Sequence, residues 1–194
     1  MKSLRWFSFA YVMSALLNAP AYAGGMIAAG KNHVAPQAAA TPGSKISNPK
    51  NLNQMDKAYD RAISAFKAGD RVTAAKWSGI AAVLGHAAGQ HALATMFATG
   101  QGVDLDYEKA MKWWHLATAQ GEVRSIYNLG VMYSHGRGVA VDNVEAYKWL
   151  HVATEQGFED AYQLQPRLAE VMTLGQIAVS QARARAWVAN HKSQ

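Results

Sequence analysis

The chain has 194 residues and no cysteine, which excludes disulfide bonds and a thiol nucleophile. Its formal charge is +6, but the basic residues are scattered and show no aromatic-interleaved stripe, which argues against a nucleic-acid site. The length allows one structured domain, which we predict over residues 53–189.

The first 23 residues have the features of a secretory signal peptide. Lys2 and Arg5 precede an apolar run at positions 6–17, and the small residues Ala21 and Ala23 flank a cleavage site. The alternative is a transmembrane anchor, but a helix of this run would span about 18 Å against about 30 Å of hydrocarbon. We therefore expect cleavage after Ala23 and a periplasmic or secreted protein without an integral membrane segment.

Residues 24–52 are rich in small and polar residues and lack apolar periodicity, which predicts a flexible linker. A first helix pair is expected in residues 53–86, with Asp70 as the N-cap of its second helix. Residues 190–194 are predicted to be a short tail.

The sequence then repeats with a period of 36 residues, most clearly in the units 87–122 and 123–158. In each unit an apolar face predicts a first helix, a Gly-x-Gly turn ends it, and an aspartate caps a second helix that carries a tryptophan between small residues. Such a period is typical of helical arrays, in which neighbouring units stack to complete the core. The structural repeat positions are Trp77, Trp113, Trp149, Gly100, Gly102, Gly136, Gly138, Asp106 and Asp142.

We expect the three repeated tryptophans to lie at a buried seam between units, and Trp114 to matter less. The glycine pairs follow the C-terminal ends of helices, where carbonyl groups rather than amides are free. They are therefore predicted to be turn glycines rather than a phosphate site, with Val103 and Val139 pinning each loop to the core.

At these residues the chain resembles the Sel-one-like repeat, a relative of the tetratricopeptide repeat. The pattern is carried by the stretch from Leu129 to Gly157 and recurs one period earlier, whereas residues 56–85 match more loosely because they lack the Gly-x-Gly turn. The resemblance implies an all-α fold, an α-solenoid of stacked antiparallel helix pairs. It also implies an adaptor without catalytic residues.

The pattern changes in residues 159–189, as terminal units of arrays usually do. Pro166 is expected to kink or end the first helix of this segment. Thr173 and Gln176 form a capping box. We predict a C-terminal capping helix from Leu174 to Ala189.

No cofactor or metal site is predicted. His115 and His151 occupy equivalent positions in successive second helices, roughly 10 Å apart by helix packing, which is too far for a shared zinc ion. They are expected to be half-exposed on one side of the array. No serine has the strand-turn-helix context of a catalytic triad, so the protein is expected not to be an enzyme.

The expected function is that of a non-catalytic adaptor, which binds a protein or peptide partner in the cell envelope through a helical-repeat groove. One alternative is a binder of a small envelope ligand such as a peptidoglycan fragment, and another is a hydrolase. The sequence does not predict the oligomeric state.

A partner-binding strip is predicted on the first helices. If Leu129 is the centre of the buried face, about 100° of rotation per residue sends other positions of that helix outward, and stacking adds positions from the preceding unit. The alternatives are that Tyr127 lies flat across the next helix, or that binding occurs near His115 and His151. The predicted partner-binding residues are His91, Thr95, Tyr127, Val131 and Ser134.

Overall fold

The computed structural model describes residues 49–192, and all of their regular secondary structure is helical. This confirms the predicted all-α class. The helices are α1 (Pro49–Lys67), α2 (Arg71–Val83), α3 (Ala87–Thr99), α4 (Tyr107–Thr118), α5 (Val123–His135), α6 (Asn143–Glu155), α7 (Glu159–Ala169) and α8 (Leu174–Lys192).

The helices pack as consecutive pairs that stack on one another. α1 pairs with α2, α3 with α4, and α5 with α6, while α2 contacts α3, α4 contacts α5, and α6 contacts α7. Each pair therefore buries its apolar surface against the neighbouring pairs, as expected of a solenoid. No helix of the described residues has the length and apolar character needed to cross a membrane.

Aspartates and glycines set the limits of the helices as the sequence predicts. The carboxylates of Asp70, Asp106 and Asp142 accept hydrogen bonds from backbone N–H groups in the first turns of α2, α4 and α6. Gly100 and Gly136 end α3 and α5 with φ of +66°, a conformation that disfavours other residues.

The second glycine of each turn brings two neighbouring units together. A Cβ on Gly138 would lie 2.7 Å from the carbonyl carbon of Tyr107, and one on Gly102 would overlap the carbonyl oxygen of Arg71. Each of these turns thus rests on the start of the second helix of the preceding unit. Val103 packs against the core beside Met96, as predicted.

The predicted burial of the tryptophans is wrong for two of the three repeats. Trp77 and Trp113 are half-buried, whereas Trp114 is 0% exposed. The position after the repeated tryptophan is buried in every unit, and it is occupied by Ser78, Trp114 and Leu150. The buried seam therefore lies one residue later than the repeat of tryptophans predicts, which is a rotation of about 100° about the helix axis.

The C-terminal segment departs from the pairing of the earlier units. α7 continues past Pro166 to Ala169, so the proline does not end the helix, which stops within one turn beyond it. The predicted capping box is confirmed, because Gln176 N donates to Thr173 Oγ1 at 3.2 Å and Thr173 N donates to Gln176 Oε1 at 2.8 Å. α8 makes its main helix contact with α6 rather than with α7.

Two predicted boundaries shift. α1 begins at Pro49, so residues 49–52 of the predicted linker are helical, and α8 continues to Lys192 rather than ending at Ala189. Proline suits the first turn of a helix, where its missing N–H would have no intrahelical partner. The predicted signal peptide, the rest of the linker and residues 193–194 lie outside the described residues.

Candidate partner-binding surface

Most of the predicted strip on the first helices is buried. His91 is 5% exposed, Thr95 7% and Val131 1%, so their predicted outward orientation is wrong. α3 contacts α2 and α4, and α5 contacts α4 and α6. Neighbouring helices therefore cover several sides of α3 and α5. A residue that points away from the apolar face of its helix is still not exposed to solvent.

The buried His91 has a structural role. Its Nδ1 lies 2.9 Å from Ser125 Oγ in the next unit. The hydroxyl of Thr95 donates to the carbonyl oxygen of His91 at 2.9 Å. Burial, and to a smaller extent the positive Arg124, lower the pKa of His91 to about 3, so the imidazole is neutral near pH 7.

Tyr127 and Ser134 are half-buried and have partners within the chain. The Tyr127 ring packs against Phe158 at a centroid distance of 4.9 Å, next to the start of α7. Burial raises the pKa of the Tyr127 phenol to about 12. Ser134 Oγ donates to the carbonyl oxygen of Val131 at 2.9 Å. Their binding of a partner stays a prediction.

A second repeated pattern marks one side of each second helix, the side that carries a lysine–tryptophan pair, which we call the outer side. A lysine precedes each repeated tryptophan, at the same 36-residue period. In α2 and α4 the lysine is exposed and the tryptophan is half-buried. In α6 the lysine side chain is only 14% exposed and the tryptophan 5%. The pairs are Lys76–Trp77, Lys112–Trp113 and Lys148–Trp149.

α8 covers the third of these pairs. The indole of Trp187 meets that of Trp149 edge-on, with ring centroids 5.6 Å apart. Arg183 Nη1 donates to Glu145 Oε1 at 2.8 Å, and Lys148 Nζ binds the other oxygen of this carboxylate at 2.9 Å. The third unit is therefore capped by a helix of the chain itself.

The two other pairs differ in how much of them remains accessible. The guanidinium of Arg61 in α1 lies over the Trp77 ring, 4.5 Å from its centroid. On α4, Lys109 and Lys112 are exposed beside the half-buried Trp113. The helices that contact α4 most, within the described part of the chain, are α3 and α5.

The histidines of the second helices lie in different surroundings. His115 is exposed but borders Tyr133 and Trp149, at centroid distances of 6.5 and 6.1 Å. Burial of part of the ring, and then the nearby Lys148 ammonium, lower the pKa of His115. His151 is half-buried, and its Nδ1 lies 2.9 Å from Nε2 of Gln165. Residues 52–191 contain no group of three side chains suited to hold a metal ion.

The two central units match a known repeat. The family model of the Sel1 repeat matches residues 87–122 and again residues 123–158. The chain therefore contains two Sel1 repeats. The resemblance read from the Gly-x-Gly turns and the repeated tryptophans is thereby confirmed.

Solved structures share the fold of this chain. A protective antigen of uropathogenic Escherichia coli that displays an SLR fold is 22% identical, with a TM-score of 0.68 over 73% of this chain and 31% of its own. A Sel1 repeat protein from Oxalobacter formigenes is 27% identical, with a TM-score of 0.53 over 61% of this chain and 96% of its own. The chain thus spans about a third of the length of the Escherichia coli protein. No curated protein matches this sequence.

One signal in the sequence could have led to the second-helix surface. The lysine–tryptophan pairs recur at the same period as the glycines, and the lysine of such a pair needs access to solvent. The burial of the first helices had no comparable signal in the sequence. The angular position of a residue on one helix does not show which other helices pack against that side.

Proposed function

We propose that this protein is a non-catalytic adaptor in the periplasm, where it binds a protein or peptide partner through the surface of its helical repeats. The family supports a role in protein–protein interaction. The observation that carries the proposal is the packing of α8 on α6 through Trp187 and Trp149. In this contact the outer side of α6 holds another helix, and at the equivalent side of α4 Lys109 and Lys112 are exposed beside the half-buried Trp113.

The position of the chemically reactive side chains supports a non-catalytic role. His91 and Ser125 form the only buried histidine–serine hydrogen bond among the described residues, but Ser125 is 0% exposed. A substrate would have to separate α3 from α5 to reach this hydroxyl. The pair is better explained as the polar link between two stacked units, since a buried polar group needs a partner.

The location is proposed from the features of residues 1–23, since Lys2 and Arg5 precede a short apolar run and Ala21 and Ala23 follow it. Intact-mass analysis of the protein from a periplasmic extract tests it. We expect a mass that begins at Gly24. A mass that includes residues 1–23 would refute the proposed cleavage.

The adaptor role is tested by photo-crosslinking in intact cells. A photoreactive amino acid is placed at Lys112, on the exposed side of α4, and at Lys57, which is exposed on α1. We expect a defined crosslinked protein from position 112 that is absent from position 57. If neither position gives a crosslinked protein, while the protein is exported and folded by circular dichroism, the adaptor role is wrong.

A further inference from the structure

The contact of α8 with α6 defines what kind of helix the outer side of a second helix accepts. Arg183 binds Glu145 and, one turn later in both helices, Trp187 packs on Trp149. The two helices therefore run in the same direction, in register. The starts of α6 and α8 also lie side by side, where Asp142 and Thr173 line one shallow cavity.

α4 presents the same arrangement with the opposite charge. At the 36-residue period, Lys109 stands where α6 has Glu145, and Trp113 stands where α6 has Trp149. The Lys109 side chain is 56% exposed, and it pairs with the capping carboxylate of Asp106 at 2.9 Å. The exposed Lys112 adds a second positive charge one turn away. We call Lys109, Lys112 and Trp113 the α4 face.

We propose that the α4 face binds a helical segment of a partner protein in which an acidic side chain precedes an aromatic one by four residues. The acidic group would take the place of Arg183 and meet Lys109, and the aromatic group would take the place of Trp187 and cover Trp113. Charge complementarity selects this occupant, because like charges across an interface are strongly unfavourable. Aromatic anchors are also frequent hot spots of interfaces.

Two other occupants fit the α4 face less well. α8 of a second copy would bring Arg183 against Lys109, which places two positive charges together. The equivalent surface of α2 offers Thr73 instead of a charged residue, and its Trp77 is already covered by Arg61. Among the equivalent surfaces of α2, α4 and α6, the α4 face is therefore the one that is both charged and exposed.

The test uses two fluorescein-labelled peptides with the sequence of residues 174–192, one unchanged and one with Arg183→Glu. Fluorescence anisotropy measures their binding to the full chain. We expect the Arg183→Glu peptide to bind at least about tenfold more tightly than the unchanged peptide, because its carboxylate meets Lys109. Adding Trp187→Ala to that peptide should weaken binding by about tenfold, since the aromatic anchor is lost. Equal binding of the first two peptides, or no binding of either, would overturn the proposal.

A change in the protein then identifies the site of binding. Lys109→Glu recreates the carboxylate that α6 carries as Glu145, so the helix start should tolerate it. We expect this variant to reverse the preference and to bind the unchanged peptide more tightly. Lys57→Glu is the matched control, since it alters the net charge equally at an exposed site on α1. If Lys57→Glu reverses the preference as well, the effect is one of overall charge and the α4 face is not the site.

This inference rests on the proposed adaptor function, but the two can fail separately. If the partner that crosslinks from position 112 is recovered equally after Lys109→Glu is added, the α4 face is wrong and the adaptor role stands. If the peptides behave as expected and cells yield no crosslinked partner, the adaptor role is wrong and the binding chemistry of the α4 face stands.

Discussion

The indole of Trp187 contacts that of Trp149 edge-on, with the ring planes at 77° and the centroids 5.6 Å apart. This contact attaches the last helix to the outer side of α6. The Arg183–Glu145 ion pair accompanies it, but the arginine side chain is 51% exposed. An exposed ion pair is screened by solvent, whereas an aromatic contact removes apolar surface from water. We therefore expect the indole pair to hold α8 more strongly than the ion pair does.

Replacement of Trp187 by alanine should loosen α8. We expect a loss of about 2 kcal/mol in the free energy of unfolding. A half-buried indole contributes roughly half the burial energy of a fully buried one, and the substitution removes that contribution. Arg183→Ala should cost less than about 1 kcal/mol. Urea denaturation followed by circular dichroism measures both. If the two variants lose the same stability, the ion pair contributes as much as the indoles and the attachment is misassigned.

The two adjacent tryptophans of α4 should differ in their contribution to stability. Trp114 is 0% exposed, so Trp114→Ala should cost about 3–5 kcal/mol, which can unfold the domain. Trp113 is half-buried, and Trp113→Ala should cost less than about 2 kcal/mol. Thermal melting compares the variants under the same conditions. A larger loss from Trp113→Ala would show that the seam lies where the sequence placed it.

Gly102 and Gly121 allow a test of the contact between units, because both have a positive φ, of +75° and +80°. A Cβ on Gly102 would overlap the carbonyl oxygen of Arg71, whereas a Cβ on Gly121 would meet nothing within 4 Å. Gly121→Ala should cost about 1–2 kcal/mol from backbone strain alone. Gly102→Ala should cost a further 1–3 kcal/mol, about the size of an overpacking penalty. Equal losses in urea denaturation would mean that the turn can move away from α2.

The buried His91 should make stability depend on pH. Its folded pKa of about 3 lies below the ordinary value of 6.5, so the unfolded chain binds this proton first as the pH falls. The stabilisation is complete above pH 6.5 and declines between pH 6.5 and 3, by at most about 1.4 kcal/mol per pH unit. His91→Gln should reduce the loss of stability between pH 7 and 5. It should not abolish it, because burial also lowers the pKa of His86.

Urea denaturation at pH 7 and at pH 5 checks this prediction. The unchanged protein, measured under the same conditions, is the reference. A loss of stability between the two pH values that is identical in the unchanged protein and in His91→Gln would show that His91 is protonated without cost in the folded state.

The helix order and the turns were predictable because each depends on neighbours in sequence. Asp106 caps α4 through an N–H group three residues away, and Gly136 ends α5 through a bond to Met132 four residues earlier. The 36-residue period also predicted that the helix pairs stack, since a single two-helix unit leaves apolar surface uncovered. The binding strip was not predictable in this way, because the burial of His91 and Val131 depends on all the helices that pack against α3 and α5.

The sequence by itself therefore determined a Sel1-like array of helix pairs, with its caps, its turn glycines and the period at which lysine and tryptophan recur. Only the tertiary structure decided which of these repeated residues face solvent. Trp149 and Trp113 occupy the same position of their units, yet α8 covers one and leaves the other half-buried. Local hydrogen bonds act within one turn of a helix, whereas exposure depends on which distant segment packs against a surface.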